Sequence, residues 1–221
     1  MEGMKQSEIG FIPKEWKVQS IGETFKFSSG KSRPKNTSKE KTDVLNIPVY
    51  GGNGILGYTD QIFTTHSHLI LGRVGEYCGC VHLTDNSSWI SDNALYGKEK
   101  LTTDDLFFLK YCFEFMNLNQ YSNKMGQPLI TQGIINEIKF PLPPLPEQRK
   151  IAYVLSTVQK AIEQQDKLIR HNTELKKALM QKLFTEGTKG EKQKQTEIGL
   201  VPESWEVQPF ENTGDVVYGI Q

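Results

Sequence analysis

The sequence predicts an α+β chain: a globular mixed α/β domain over residues 1–146, then one long α-helix over residues 147–186. Three observations carry this. Short runs with strand-like alternation are separated by glycine-rich turns through the first part of the chain. From Glu147 to Phe184 there is no Pro or Gly, and apolar residues recur four and three apart. Residues 187–221 then hold a polar linker and the start of a second copy of the chain's own beginning.

The repeat comes first in the chain. Residues 7–18 read SEIGFIPKEWKV and residues 196–207 read TEIGLVPESWEV. Glu8/Glu197, Ile9/Ile198, Gly10/Gly199, Pro13/Pro202, Trp16/Trp205, Val18/Val207 and Gln19/Gln208 are identical at one constant offset of 189 residues. Gly, Pro and Trp are uncommon, and all three fall in register. The period is too long for a solenoid, so the pattern reads as a tandem domain of which only the start of the second copy is present.

Within the domain, VLNIPVYGG, HLILGRVGEY and CGCVHLT have the alternation and β-branched content of strands. GGNGILG carries too many glycines for an element interior and is expected to be a flexible loop. In TTDDLFFLKYCFEFM, Thr103-Asp104-Asp105 makes a helix start, and Leu106, Leu109, Cys112, Phe113 and Met116 follow at helical spacing.

Beyond PLPPLP the long helix begins. Pro146 and Glu147 suit a first helical turn, and Gly187 suits its end. Ile151, Leu155, Val158, Ile162, Ile169, Leu179 and Leu183 form a heptad seam on which Gln165 and Asn172 also fall. Leu168 and Leu175 widen the stripe, which suits a helix bundle better than a bare two-stranded coil. Thirty-eight helical residues would extend about 57 Å. Such a helix must either fold back on its own domain or pair with another helix, and its length favours pairing. GTKGEKQKQ reads as a linker. Residues 196–221 are expected to behave as a tail, or as a swapped element on a partner.

Composition narrows the function. There is no apolar run near the ~18 residues of a membrane helix, and MEGMKQSEIG has no signal-peptide core, which points to the cytoplasm. Cys78, Cys80 and Cys112 make no disulfide framework. Net charge is zero, with 26 basic and 26 acidic residues. This counts against a nucleic-acid binder acting alone, because phosphate contacts dominate affinity. The balance is uneven, however: Lys26, Lys31, Arg33, Lys35, Lys39 and Lys41 face one acid, Glu40.

Catalytic signatures are missing. Gly30-Lys31-Ser32 resembles the end of a phosphate-binding loop, but Phe25 stands where that loop needs its first glycine. His66, His68, Cys78, Cys80 and His82 could converge from strands, yet Cys78 and Cys80 are too close for a structural zinc pair, and no metal site is expected. The chain contains no nucleophile elbow, zinc-protease helix or dinucleotide fingerprint.

The segment PLPPLPEQRKIAYVLSTVQKAIEQQDKLIRHNTELKKALMQKLFTEG resembles the helical region of type I restriction-modification specificity subunits (HsdS). IPVYGGNGILGYTD, LILGRVGEYCGCV, SDNALY and GQPLITQGIINEIKFPLPPLPEQ are similar, in order, to blocks of that family's target-recognition domain. The resemblance implies a non-catalytic subunit that reads DNA and docks methyltransferase subunits. It also implies that S-adenosylmethionine and ATP are used by partner subunits, the modification and restriction subunits, with no cofactor in this chain. Full-length members carry two readers and two antiparallel helices, whereas this chain looks like a half-size form with one of each. The long helix would then form an antiparallel coiled coil in a homodimer. Two other classes stay open: a helical scaffold without DNA readout, and an enzyme with an unrecognised site.

Reading double-stranded DNA takes phosphate contacts for register and polar groups at base edges for sequence. Lys31, Arg33 and Lys35 are the candidates for phosphate. Tyr50, Asn53 and Tyr58 around the GGNG segment, Arg73 between glycines, and Gln127, Thr131 and Gln132 near a turn are the candidates for bases. The plain alternatives are a solvated loop for the basic segment, an ordinary turn at Asn53 and a structural salt bridge at Arg73.

Overall fold

Described over residues 3–123 and 126–210 in a computed structural model, the chain begins with a hairpin of β1 (Met4–Ser7) and β2 (Gly10–Pro13). Strand β3 (Lys17–Ser20), the one-turn helix α1 (Ile21–Thr24), β4 (Phe25–Ser29) and β5 (Thr37–Ser38) follow. Next come β6 (Ile47–Gly51), β7 (Gly54–Thr59), β8 (Leu69–Gly72), β9 (Val81–Leu83), β10 (Trp89–Ile90) and β11 (Ala94–Lys100). Helices α2 (Leu106–Phe115) and α3 (Gln132–Glu137), strand β12 (Lys139–Leu142), helix α4 (Leu145–Glu186) and the hairpin β13 (Gln193–Thr196) and β14 (Gly199–Pro202) complete the order. The chain divides into two units, Met1–Thr157 and Val158–Gln221, with α4 running through the division.

In the first unit, β4-β11-β8-β9 form one antiparallel sheet, and β10-β6-β7-β5 form a mixed sheet. β8 explains how they stack. Side chains alternate across a strand, and here both sides are apolar. Leu69 and Leu71 enter a large cluster with Phe25, Leu95, Phe108, Phe113, Ile135 and Phe140. Ile70, between them, enters a second cluster with Tyr50, Ile90, Ala94 and Tyr96. A strand covered on both faces reads as an unbroken apolar run rather than an alternating one.

Helix α2 starts where the sequence predicts. The Asp105 side chain accepts a hydrogen bond from Phe108 N (2.9 Å), satisfying a donor that the first turn leaves open. The start of α4 is tied to the same point. Gln148, only 1% exposed, accepts from Asp105 N (2.8 Å) and donates to Asp104 Oδ1 (2.8 Å) and Pro143 O (2.9 Å). Nearby, the Trp16 indole N–H donates to Glu147 (3.0 Å).

Helix α4 begins at Leu145, slightly before the expected Glu147, and its 42 residues extend about 63 Å. Ile151, assigned to the partner-facing seam from its spacing, instead packs against the large cluster of its own unit, beside buried Ala152. The rest of the seam is uncovered: Leu155, Val158, Ile162, Ile169, Leu179 and Leu183 are 40–61% exposed. A third polar residue, Lys176, falls on the seam with Gln165 and Asn172.

The second unit departs from the expected tail. Residues 193–202 form a hairpin in the register of the first, and the Trp205 ring lies edge-on to Phe184, 6.3 Å between centroids. Residues 211–221 lie outside the described residues.

Candidate nucleic-acid interface

The candidate residues fall on segments that meet around one tight turn, Ser91–Ala94, closed by Ala94 N donating to Ser91 O (3.1 Å). Three strand ends attach to it through the backbone. Ser91 N donates to Tyr50 O (2.8 Å), Lys31 N to Ile90 O (3.0 Å), and Arg73 N to Asn93 O (3.0 Å). A fourth segment joins at Arg73: Ile130 N donates to Arg73 O (3.0 Å), and Gly75 N to Pro128 O (2.9 Å).

Glycine makes this convergence sterically feasible. A Cβ on Gly30 would lie 2.3 Å from the carbonyl oxygens of Ile90 and Ser91, so a side chain there would push Lys31 off the turn. On Gly72, a Cβ would lie 1.9 Å from Tyr77 O. The glycine-rich blocks thus serve close backbone approach rather than a phosphate cradle.

Lys31, Arg33 and Lys35 are all exposed on the segment between β4 and β5. Lys31 Nζ stands 5.5 Å from the centroid of the Phe63 ring, and Arg33 donates to Leu56 O of β7 (3.4 Å). Arg73 is half-buried and donates to Ser29 Oγ (3.3 Å). Among the described residues the ion pairs are Lys26–Glu99, Lys110–Glu114 and Lys139–Glu8, and the exposed His171 ring lies 3.8 Å from Glu174. None involves Lys31, Arg33, Lys35 or Arg73, so the salt bridge weighed for Arg73 is not what holds it.

The GGNG segment is not a flexible loop. It is the two-residue tip of the β6–β7 hairpin, with Gly51 paired to Gly54. Asn53 is exposed at that tip, and Tyr58 is half-buried on β7. Tyr50, expected on the loop, lies in β6 and is buried in the second cluster, with its hydroxyl accepting from Asp85 N (3.3 Å). Burial first, then the Asp85 charge, pushes its phenol pKa upward. Its ring lies in that cluster rather than on an open loop.

Gln127 is exposed next to Gly75, in the segment bonded to Arg73. Thr131 caps α3, its hydroxyl accepting from Ile134 N (3.3 Å), and Gln132 opens that helix, exposed. Two residues were missed from the sequence: Ser29, which receives the Arg73 hydrogen bond, and exposed Asn93, whose carbonyl anchors the Arg73 backbone. The only signal for Asn93 was its place in the SDNALY block.

His68 bridges Thr64 Oγ1 and Gly97 O, each at 2.9 Å. Desolvation lowers the His82 pKa and favours the neutral ring. Among the described residues no group of three His, Cys, Asp or Glu side chains is placed to hold a metal ion. No helix among them is long and apolar enough to cross a membrane.

Residues 13–170 match the family model described as type I restriction modification DNA specificity domain. The chain belongs to this family. It is 30% identical to a putative type I restriction enzyme MjaX specificity subunit of Methanocaldococcus jannaschii, over 93% of this chain and 54% of the relative. It is 28% identical to the MjaVIII specificity subunit of the same organism, over 99% and 53%. The chain thus spans about half the length of the curated relatives it matches. The fold is similar to the type I S subunit from M. genitalium (TM-score 0.66, 22% identity, 76% of this chain and 46% of that one). It is also similar to the HsdS subunit from Thermoanaerobacter tengcongensis (TM-score 0.51, 19% identity, 84% and 49%).

Proposed function

We propose that this chain supplies the DNA address of a type I restriction-modification complex and performs no chemistry itself. The observation that carries this is the set of unpaired cations and polar side chains gathered around the Ser91–Ala94 turn. Lys31 and Arg33 stand without a carboxylate partner among the described residues, while Arg73, Asn53, Asn93 and Gln127 offer donors and acceptors on segments bonded to one another. Lys31, Arg33 and Lys35 contact phosphates and fix register, and the second set reads base edges. Zero net charge accords with a reader that shares the grip on phosphate with partner subunits.

Those partners are methyltransferase subunits that carry S-adenosylmethionine and, through them, a restriction subunit that uses ATP. The uncovered α4 seam pairs antiparallel with that of a second copy, forming a homodimer. Two readers related by a two-fold axis read a two-fold site. The target is then an inverted repeat whose half-sites, centred about 10 base pairs apart, are separated by bases that are not read. Methylome sequencing of a host carrying this chain and its methyltransferase tests the whole reading. A gapped, symmetric methylated motif supports it; an asymmetric or ungapped motif removes the two-copy arrangement; no methylation dependent on this chain removes the address role.

A further inference from the structure

The same hairpin occurs twice in this chain, once beside the start of α4, where Trp16 bonds Glu147, and once beside its end, where Trp205 meets Phe184. β1–β2 and β13–β14 share their register, Met4 opposite Pro13 and Gln193 opposite Pro202. Ser7 and Thr196 donate their hydroxyls to the Gly10 and Gly199 carbonyls at 2.6 and 2.7 Å. Trp16 N donates to Pro13 O, and Trp205 N to Pro202 O, both at 3.0 Å. Ile12 and Val201 are buried at equivalent positions.

In the second unit the end of α4 packs against one side of this hairpin. Phe184 meets the Trp205 ring edge-on, and a Cβ on Gly187 would lie 3.3 Å from Pro202 Cγ. Pro202 is buried there, whereas Pro13 is only half-buried. Beside the first hairpin the corresponding space is a cleft of about 340 Å³ lined by Gly3, Pro13, Lys14, Glu15, Trp16 and Glu147. Among the described residues other than its chain neighbours, no atom lies within 4 Å of a Cβ built on Gly3.

We infer that this cleft receives the helix end Phe184–Gly187 of a second copy. The inference rests on the antiparallel two-copy reading above and adds to it a specific contact. Glu147, on the cleft wall, belongs to the first turn of α4. Antiparallel pairing brings the last turn of one helix beside the first turn of the other, and so brings Phe184–Gly187 to the wall that Glu147 marks. Each chain already holds its own helix end with residues 193–205. The chain's own second hairpin and the partner's first hairpin are therefore alternative ligands of one helix end, and the second hairpin limits pairing by occupying it.

Sedimentation equilibrium on full-chain variants tests this. Trp205→Ala removes the ring contact that holds the second hairpin, and self-association should rise roughly two- to tenfold. Adding Pro13→Glu should cancel that gain. Gly187→Cys with Pro202→Cys places two Cβ atoms about 3.6 Å apart, within the range of a disulfide. The oxidised form should associate at least several-fold more weakly than the same protein in reductant, a comparison that removes any effect of the substitutions on folding. Dimers of equal strength in the locked, reduced and Trp205→Ala forms would overturn this contact and leave the two-copy reading standing. Monomers in every form would overturn both.

Discussion

Replacing Gln148 by Leu keeps volume near the start of α4 and removes three hydrogen bonds there. The Asp105 N–H and the Pro143 carbonyl, 2.8 and 2.9 Å from the amide, lose their partners in a site where Gln148 itself is 1% exposed. The third partner, Asp104 Oδ1, can turn toward water and costs less. A buried backbone group left without a partner costs about 1–3 kcal/mol, so the substitution should destabilise the fold by about 3 kcal/mol. For a chain of this size that is a fall in melting temperature of about 6–12 °C. Gln148→Glu adds a sign test. At neutral pH its carboxylate faces the Asp104 carboxylate and a carbonyl, so its folded-state pKa is raised. Stability should be retained below the ordinary carboxylate range and lost as pH rises through the raised value. Thermal unfolding followed by circular dichroism reads both. A Gln148→Leu shift below about 2 °C would show that the buried amide is not what ties α4 to the domain.

On the seam, Leu155→Glu and Ile162→Glu should each yield monomers by light scattering and lose methyltransferase binding, because each places a charge in an apolar contact. The triple replacement of Lys31, Arg33 and Lys35 by Ala should weaken binding of the assembled complex to every DNA sequence. It should also lower the slope of log affinity against log salt by about 2–3, one unit per lost phosphate contact. Burial pushes the Cys112 thiol up to about 12, so at pH 8 about one molecule in ten thousand carries the thiolate. Iodoacetamide at that pH should leave Cys112 unmodified in the folded chain, as read by mass spectrometry, and reaction should quicken only as pH climbs toward that value.

The start of helix α2, the repeat and the long helix were legible in the sequence because each is a local property. A helix without Pro or Gly shows its period along the chain, Asp105 announces a cap three residues ahead, and the 189-residue offset reappears as two hairpins in one register. What depends on distant segments was not legible. Tyr50 sits beside two glycines and reads as a loop residue, yet the pairing of β6 with β7 and β10 turns its ring into a core. Ile151 keeps perfect seam spacing and still belongs to its own domain, since spacing records which face a residue occupies but not what meets that face. The candidate interface is likewise a tertiary product: Ser29, Lys31, Arg73 and Asn93 are scattered through the chain, and backbone hydrogen bonds to one turn bring their segments together. Gln148 is the plainest case. Its chemistry is ordinary in the sequence, and only the folded chain places three partners from a helix start, a side chain and a proline-rich bend around one amide.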